Sequence, residues 1–584
     1  MNARRTLAAL LMSAAWLAGC GDNNKDNTPP KEAAVAQAAK AAWHDWQTVE
    51  LSNGLVSMHL VPQLGGRAMG YAIGGRDLLY ANPSRLGHVP GEAVVDHGPA
   101  APAAKAAPDA APAAPATPPA AKPAVVSQSG GVKLAADTTP PPTPPTPPGK
   151  EQPAAAQEPE DSPLRYLPTT VAKDYVNYGG DVVWPVPQSL WTKGWPPPTA
   201  LDQGTWGVKI DTEKGDQAVV TLTSPTDDEL GLQLGRTVTL YRSSTVVRSS
   251  ATLKNTGQTK RLWALQDLSQ HPGSVTEGES FSKTLQAYQP LGGGKAYKMG
   301  FAALLGNLAG PEFKPTERLL TVSYLGTETL VGSDTTAGWQ VYADSGHNLV
   351  LARFTTPDPQ AHYPDGGVSA TVYTAPSKLA SYIGLSLRSG LASLDPNATL
   401  SFDVCYAAAT CPAPIVSATP VGVVSTPLTA ESTGHTVTFS GIFGVFYYGT
   451  VQLVLRDKSG AELARTAPLS ATPNEVLRLD TASDLPAGAV SVGLVVLSRD
   501  RVQVGELANC AIAEAKAKPA EELAAKAKPA DTSNQPSASA TDQTGGQPAA
   551  APPTAPMAQS SEVPAQTPPV TPAQPEPQPT APTR

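Results

Sequence analysis

An all-β chain is what this sequence predicts, and three observations predict it. Strand-length segments alternate apolar and polar residues, as in LGLQLGRTVTLYRSS and TVELSNGLVSMHLVP. Turn residues interrupt these segments at short intervals, and apolar residues almost never recur at helical spacing, so antiparallel sheet is expected throughout.

The elements follow in order. Residues 20–42, containing GDNNKDNTPPKEAAVAQAAK, are polar and read as a tether before the fold. From Trp43 the pattern changes: Val56, Met58 and Leu60 fall on one side of a strand, and Ser52-Asn53-Gly54 marks a hairpin turn. Gly74-Gly75 in QLGGRAMGYAIGGRDLLYANP is the next turn, and Arg67 follows a glycine pair that lets backbone come close to a partner. Residues 99–161 collapse to Ala, Pro and Thr; a segment so poor in large apolar groups cannot offset its ordering entropy, so a disordered insertion is expected. Further strands run from WGVKIDTEKGDQAVVTLTS to SYIGLSLRSGLASLDPNATLSFDVCYA. Residues 43–411 less the insertion leave about 300 residues, enough for one large two-layer β domain. Residues 412–513 read as some seven short strands of a small immunoglobulin-like sandwich, and 514–584 as a disordered Ala/Pro/Gln-rich tail.

The opening MNARRTLAALLMSAAWLAGC has a basic start and an apolar run too short to span a bilayer, the layout of a secretory signal over residues 1–19. Cys20 directly after Leu17-Ala18-Gly19 resembles a bacterial lipobox, which implies acylation of its thiol, a membrane partner through that lipid, and a cell-envelope location at the outer membrane facing the periplasm. Taking Cys20 from the four cysteines leaves Cys405, Cys411 and Cys510. Cys405 and Cys411 in CYAAATC are the favoured disulfide; Cys411 with Cys510 is the alternative. Net charge is −8 without long runs of one sign and without basic patches interleaved with aromatics, so nucleic acid is not expected as a partner. No phosphate loop, nucleophile elbow or His-Glu-x-x-His phrase occurs, so neither cofactor nor metal is expected.

The most informative stretch is NYGGDVVWPVPQSLWTKGWPPPTALDQGTW, residues 177–206. In a chain with only 6% aromatic residues it gathers Trp184, Trp191, Trp195 and Trp206, with Asp181, Gln188 and Asp202 between them. Its prolines point to an irregular loop, and loops of this kind line sites as often as they plug a core.

This stretch, with VELSNGLVSMHLVPQLGGRAMGYAIGGRDLLYANP and HYPDGGVSATVYTAP, resembles an uncharacterised bacterial family, the domain of unknown function numbered 4380. That family is similar to the galactose mutarotase-like β-supersandwich, which includes aldose 1-epimerases. The resemblance covers Trp43 to about Ala408 and implies a carbohydrate-binding groove on the concave face of the larger sheet. Mutarotase chemistry uses a histidine and a glutamate as acid and base. His271 in QDLSQHPGS stands near the expected histidine, placed in a loop after a strand ending near Leu265. No glutamate matches, and SYIGLSLRSG carries Gly384 and Ser386 where an acidic residue is expected. Asp181 is the second catalytic candidate. Arg67, Trp184, Gln188, Trp191, Trp195, Asp202 and Asp365 are candidate ligand contacts, although Tyr363-Pro364-Asp365-Gly366 also reads as a turn. A carbohydrate-binding envelope protein is therefore the leading expectation, with a sugar epimerase and a non-catalytic envelope scaffold as alternatives.

Overall fold

The computed structural model describes residues 35–91, 175–192, 194–275, 279–294, 296–377 and 380–514. The expectations for residues 1–19, Cys20, the insertion at 99–161 and the tail beyond Glu514 lie outside them. The described residues are all-β, as the alternation predicts: a sheet of 13 strands faces a sheet of 10, and two sheets of five follow. Helical structure is confined to single turns such as Thr199–Asp202 and Pro364–Gly367.

The Leu232–Tyr241 strand shows why the layers pack. Its burial alternates at every residue, sending Leu232, Leu234, Val238 and Leu240 into the core against the larger sheet. The larger sheet starts as a meander, in which Trp46–Ser52, Val56–Val61 and Arg67–Ile73 are neighbours, and continues through Asp181–Val186, Arg261–Pro272, Tyr382–Arg388 and Ala370–Thr374. Gly74 and Gly75, at φ 57° and 76°, make the predicted tight turn between Arg67–Ile73 and Arg76–Asp77.

Two local expectations are corrected. The first strand, Ala36–Trp43, begins inside the stretch read as a tether, residues 20–42. AQAAKAAW lacks β-branched residues, but full-length pairing with Trp46–Ser52 overrides that weak propensity. Secondly, Trp184 and Pro185 lie on a strand rather than in a loop. Asp181–Val186 pairs along its length with Arg261–Pro272, whereas on its other side only Asp181 pairs, with Ala68. Proline is tolerated there because that edge demands no ladder N–H from it.

The small sandwich places Gly422–Thr433, Thr436–Val445 and Leu477–Asp484 in one sheet and Gly449–Arg456, Ser491–Ser498 and Gln503–Ala511 in the other. Val437, Phe439, Val451, Leu453, Val492 and Leu494 fill the space between them. It joins the large sandwich through backbone bonds, Thr245 N–H to Phe446 O at 2.8 Å and Tyr448 N–H to Ser243 O at 2.9 Å.

The expected Cys405–Cys411 disulfide is absent, as is its alternative: Cys405, Cys411 and Cys510 are all free thiols. CYAAATC is not a loop but the end of the Thr399–Thr410 strand. Six residues of extended chain separate the sulfurs' backbones by roughly 20 Å, whereas a disulfide needs Cα atoms within about 7 Å. Burial pushes the Cys411 thiol up to about 12. All three thiols are expected to take an alkylating reagent in the unfolded, unreduced chain. A mass short by one alkylated pair would contradict this.

Candidate functional site

Residues directly opposite on antiparallel strands share a face, so register divides the candidate residues between the two faces of the larger sheet. On the inner face, toward the smaller-numbered sheet of 10 strands, lie Asp181, Asp267, Ser269 and His271, all buried. Arg236 pairs with the Asp181 carboxylate, and its Nε donates to Ser249 Oγ at 2.9 Å. Arg353 pairs with Asp267 and also donates to the carbonyls of Asp267 and Leu385. Tyr406 Oη sits 2.7 Å from Asp181 Oδ2 and 2.5 Å from Asp267 Oδ1. One phenolic proton serves one carboxylate, so the second contact is a hydrogen bond only when a carboxyl carries a proton. Asp181 is suited to hold it: burial, opposed by Arg236, raises its pKa to about 7.

His271 is also an inner-face strand residue, which corrects its expected place in a loop. The Arg261–Pro272 strand runs seven residues past Leu265, because its polar residues alternate and each phase finds partners. His271 Nδ1–H donates to Leu78 O at 2.8 Å, which leaves Nε2 to accept from the Ser269 hydroxyl at 2.8 Å. Its ring stacks on Tyr342, 4.8 Å away and 14° from parallel. With 0% exposure, and a pKa lowered to about 3 by burial, it is a neutral core histidine. Both catalytic candidates are thus buried on the inner face and engaged with protein partners, His271 with Leu78 and Ser269 and Asp181 with Arg236 and Tyr406.

These two groups pull the pH dependence of stability in opposite directions. Native His271 stays neutral while the unfolded imidazole binds a proton below its ordinary 6.5, so His271 makes stability fall as pH drops from about 6.5 to 3. Native Asp181 keeps its proton up to about 7 while the unfolded carboxyl loses it above 3.8, so Asp181 makes stability fall as pH rises between those values. His271→Gln is expected to leave the Asp181 contribution less opposed. Urea midpoints for the variant should decline more steeply than those of the native chain from pH 4 to 6.5; parallel profiles would contradict this.

The outer face carries the other candidates. The phrase Asn177-Tyr178-Gly179-Gly180 brings the chain onto the sheet, where Asn177 and Gln270 exchange amide hydrogen bonds of 2.7 and 3.1 Å. Gly179 has φ 92°, and a Cβ there would stand 2.2 Å from Tyr80 O, so this entry requires glycine. Farther along, the single turn Thr199–Asp202 delivers the Asp202 carboxylate to the sheet. Asp202 Oδ1 accepts from Arg67 Nη2 at 2.5 Å and from the Trp184 indole N–H at 2.7 Å. Arg67 also donates to Gly179 O at 3.0 Å and to Tyr175 Oη at 3.1 Å. Trp184 meets Trp191 and Trp195 edge-on, with centroids 5.9 and 6.1 Å away, and the Trp191 N–H bonds Pro185 O at 2.9 Å. Trp195 is the half-buried member of the group, with Trp184 and Trp191 behind it.

Beside this wall, register sets Trp184, Gln266 and Arg388 in one row across three adjacent strands, a span of about 10 Å. Arg388 Nε donates to Gln266 Oε1 at 2.8 Å and Nη1 to Asp365 Oδ2 at 2.7 Å. Asp365 stands on the turn expected for it, at φ 58°, a left-handed conformation tolerated by Asp better than by most residues. Arg67, Trp184, Trp191, Trp195 and Asp202 thus form one cluster and Asp365 borders it. Gln188 lies in the Gln188–Leu190 turn, where its Oε1 has no partner among the described residues. Gln266 and Arg388, together with the inner-face Arg236, Asp267, Arg353 and Tyr406, are buried polar residues of this region that sequence reasoning missed. Among the described residues no group of three His, Cys, Asp or Glu is placed to hold a metal ion.

No family model matches the chain, and no curated relative matches it. Solved structures do. A TPR-domain containing protein from Parabacteroides distasonis aligns at 12% identity and TM-score 0.35 over 63% of this chain, which spans about half (48%) of that one. The Slr1438 protein from Synechocystis sp. PCC 6803 aligns at 13% identity and TM-score 0.35, over 64% of this chain and 99% of that chain. A galactose mutarotase-like protein from Clostridium acetobutylicum aligns at 10% identity and TM-score 0.33, again over 64% and 99%. At such identities and scores these are likenesses of fold, and the chemistry of the site rests on this chain's own residues.

Proposed function

We propose that the outer face of the larger sheet binds a carbohydrate between the tryptophan cluster and the Pro364–Gly367 turn. One observation carries this reading: the shared register of Trp184, Gln266 and Arg388, which sets an aromatic wall beside an amide and a guanidinium. A pyranose presents C–H groups on its faces and hydroxyls at its edge, and such a row offers a partner to each. Sugar epimerisation at this face would need an acid and a base other than His271 and Asp181. Titration with a broad panel of oligosaccharides should shift tryptophan fluorescence and raise Tm, and Trp195→Ala should remove both responses. No response across the panel would overturn the proposal. The Leu17-Ala18-Gly19-Cys20 phrase supports placing this binding function at the cell envelope on a lipid at Cys20. Labelled palmitate should enter the native chain and not Cys20→Ala; equal labelling would remove the anchor.

A further inference from the structure

We infer that the ligand of the outer face carries a carboxylate, as a uronic-acid type sugar does, and that Arg388 and Gln266 hold its two oxygens. The inference rests on the carbohydrate reading and adds the charge of the sugar to it. Arg388 is 5% exposed and Gln266 4%, and the bonds these side chains make among the described residues use Arg388 Nε and Nη1 and Gln266 Oε1, not Arg388 Nη2 or Gln266 Nε2. The Arg388 guanidinium spends Nε on Gln266 Oε1 and Nη1 on Asp365, which leaves both N–H groups of Nη2. Gln266 accepts through Oε1, which leaves its amide NH2. The hydrogen bond between the two side chains holds these nitrogens side by side, at the wall formed by Trp184.

This pair of free groups donates only. A hydroxyl pair from a neutral sugar brings protons that need acceptors of their own, whereas a carboxylate brings acceptor oxygens alone. The planar guanidinium edge suits a carboxylate, and such charge-assisted bonds are the stronger kind. Asp365 does not forbid it: a carboxylate on Nη2 lies nearer the guanidinium than it does to Asp365 on the far nitrogen, so attraction exceeds repulsion. Asp365 instead fixes the fork from behind, and is a positioning residue.

The test compares oligosaccharides containing glucuronate or galacturonate with the same chains after reduction of the carboxyl to the alcohol, by calorimetric titration of the full chain. The acidic form is expected to bind about tenfold more tightly. Arg388→Met and, separately, Gln266→Leu should abolish that preference, so that each variant binds the acidic and the reduced chains with the same, lower affinity. Gln266→Leu leaves the Arg388–Asp365 pair intact, so it answers even if Arg388→Met fails to fold. Equal or tighter binding of the reduced chains, or a preference that survives both substitutions, overturns this inference and leaves the carbohydrate reading standing. Binding of neither form overturns both.

Discussion

Replacing Arg353 by Met is expected to lower the stability of the fold by about 3–5 kcal/mol, read as a reduced urea midpoint at unchanged m. Arg353 is wholly buried between the sheets, and its loss leaves the Asp267 carboxylate without its ion-pair partner in a layer shared with Asp181 and Tyr406. It also withdraws donors from the carbonyls of Asp267 and Leu385, which belong to two of the strands that carry Gln266 and Arg388 on their other side. The double variant Arg353→Met, Asp267→Leu removes both charges and should cost less than the single one, because desolvation of a lone charge is the dominant penalty. A double variant less stable than Arg353→Met would contradict this.

Asp202→Ala should be comparably damaging, by about 3–5 kcal/mol. Asp202 is the shared acceptor for the buried Arg67 guanidinium and the Trp184 indole, so one substitution orphans two donors. Its effect should be visible beyond stability: the Trp184–Trp191–Trp195 contacts depend on that indole bond, so near-ultraviolet circular dichroism should weaken even where the chain remains folded. An unchanged aromatic spectrum would show that the wall stands without Asp202. Pairing it with Arg67→Met tests the same logic as at Arg353, since the two changes together should cost less than their sum.

The sheet architecture was legible because alternation is strict where one face is buried, as along Leu232–Tyr241. It failed where propensity and pairing disagree, at the alanine-rich Ala36–Trp43 and at Pro185. The aromatic half of the site was legible from composition alone. The polar half was not, because Gln266 and Arg388 are 122 residues apart in the chain and meet only through strand register. Sequence reasoning also placed His271 in a loop after Leu265, because a polar run such as QDLSQHP gives no strand end, whereas the strand continues to Pro272. One signal was available and unused: Arg236 and Arg353 occupy the apolar phase of otherwise hydrophobic strands, LQLGRTVTL and LVLARF. A charge at such a position calls for a buried partner, and Asp181 and Asp267 are those partners.

The central claim is that the outer face of the larger sheet is where a sugar binds. A crystal structure of the chain with the tightest oligosaccharide from the panel tests it most directly. A pyranose resting against Trp195, with its polar edge within hydrogen-bond distance of Gln266 Nε2 and Arg388 Nη2, is the predicted result. A sugar seated elsewhere, against the Trp43–His59 stack or on the small sandwich, would contradict it.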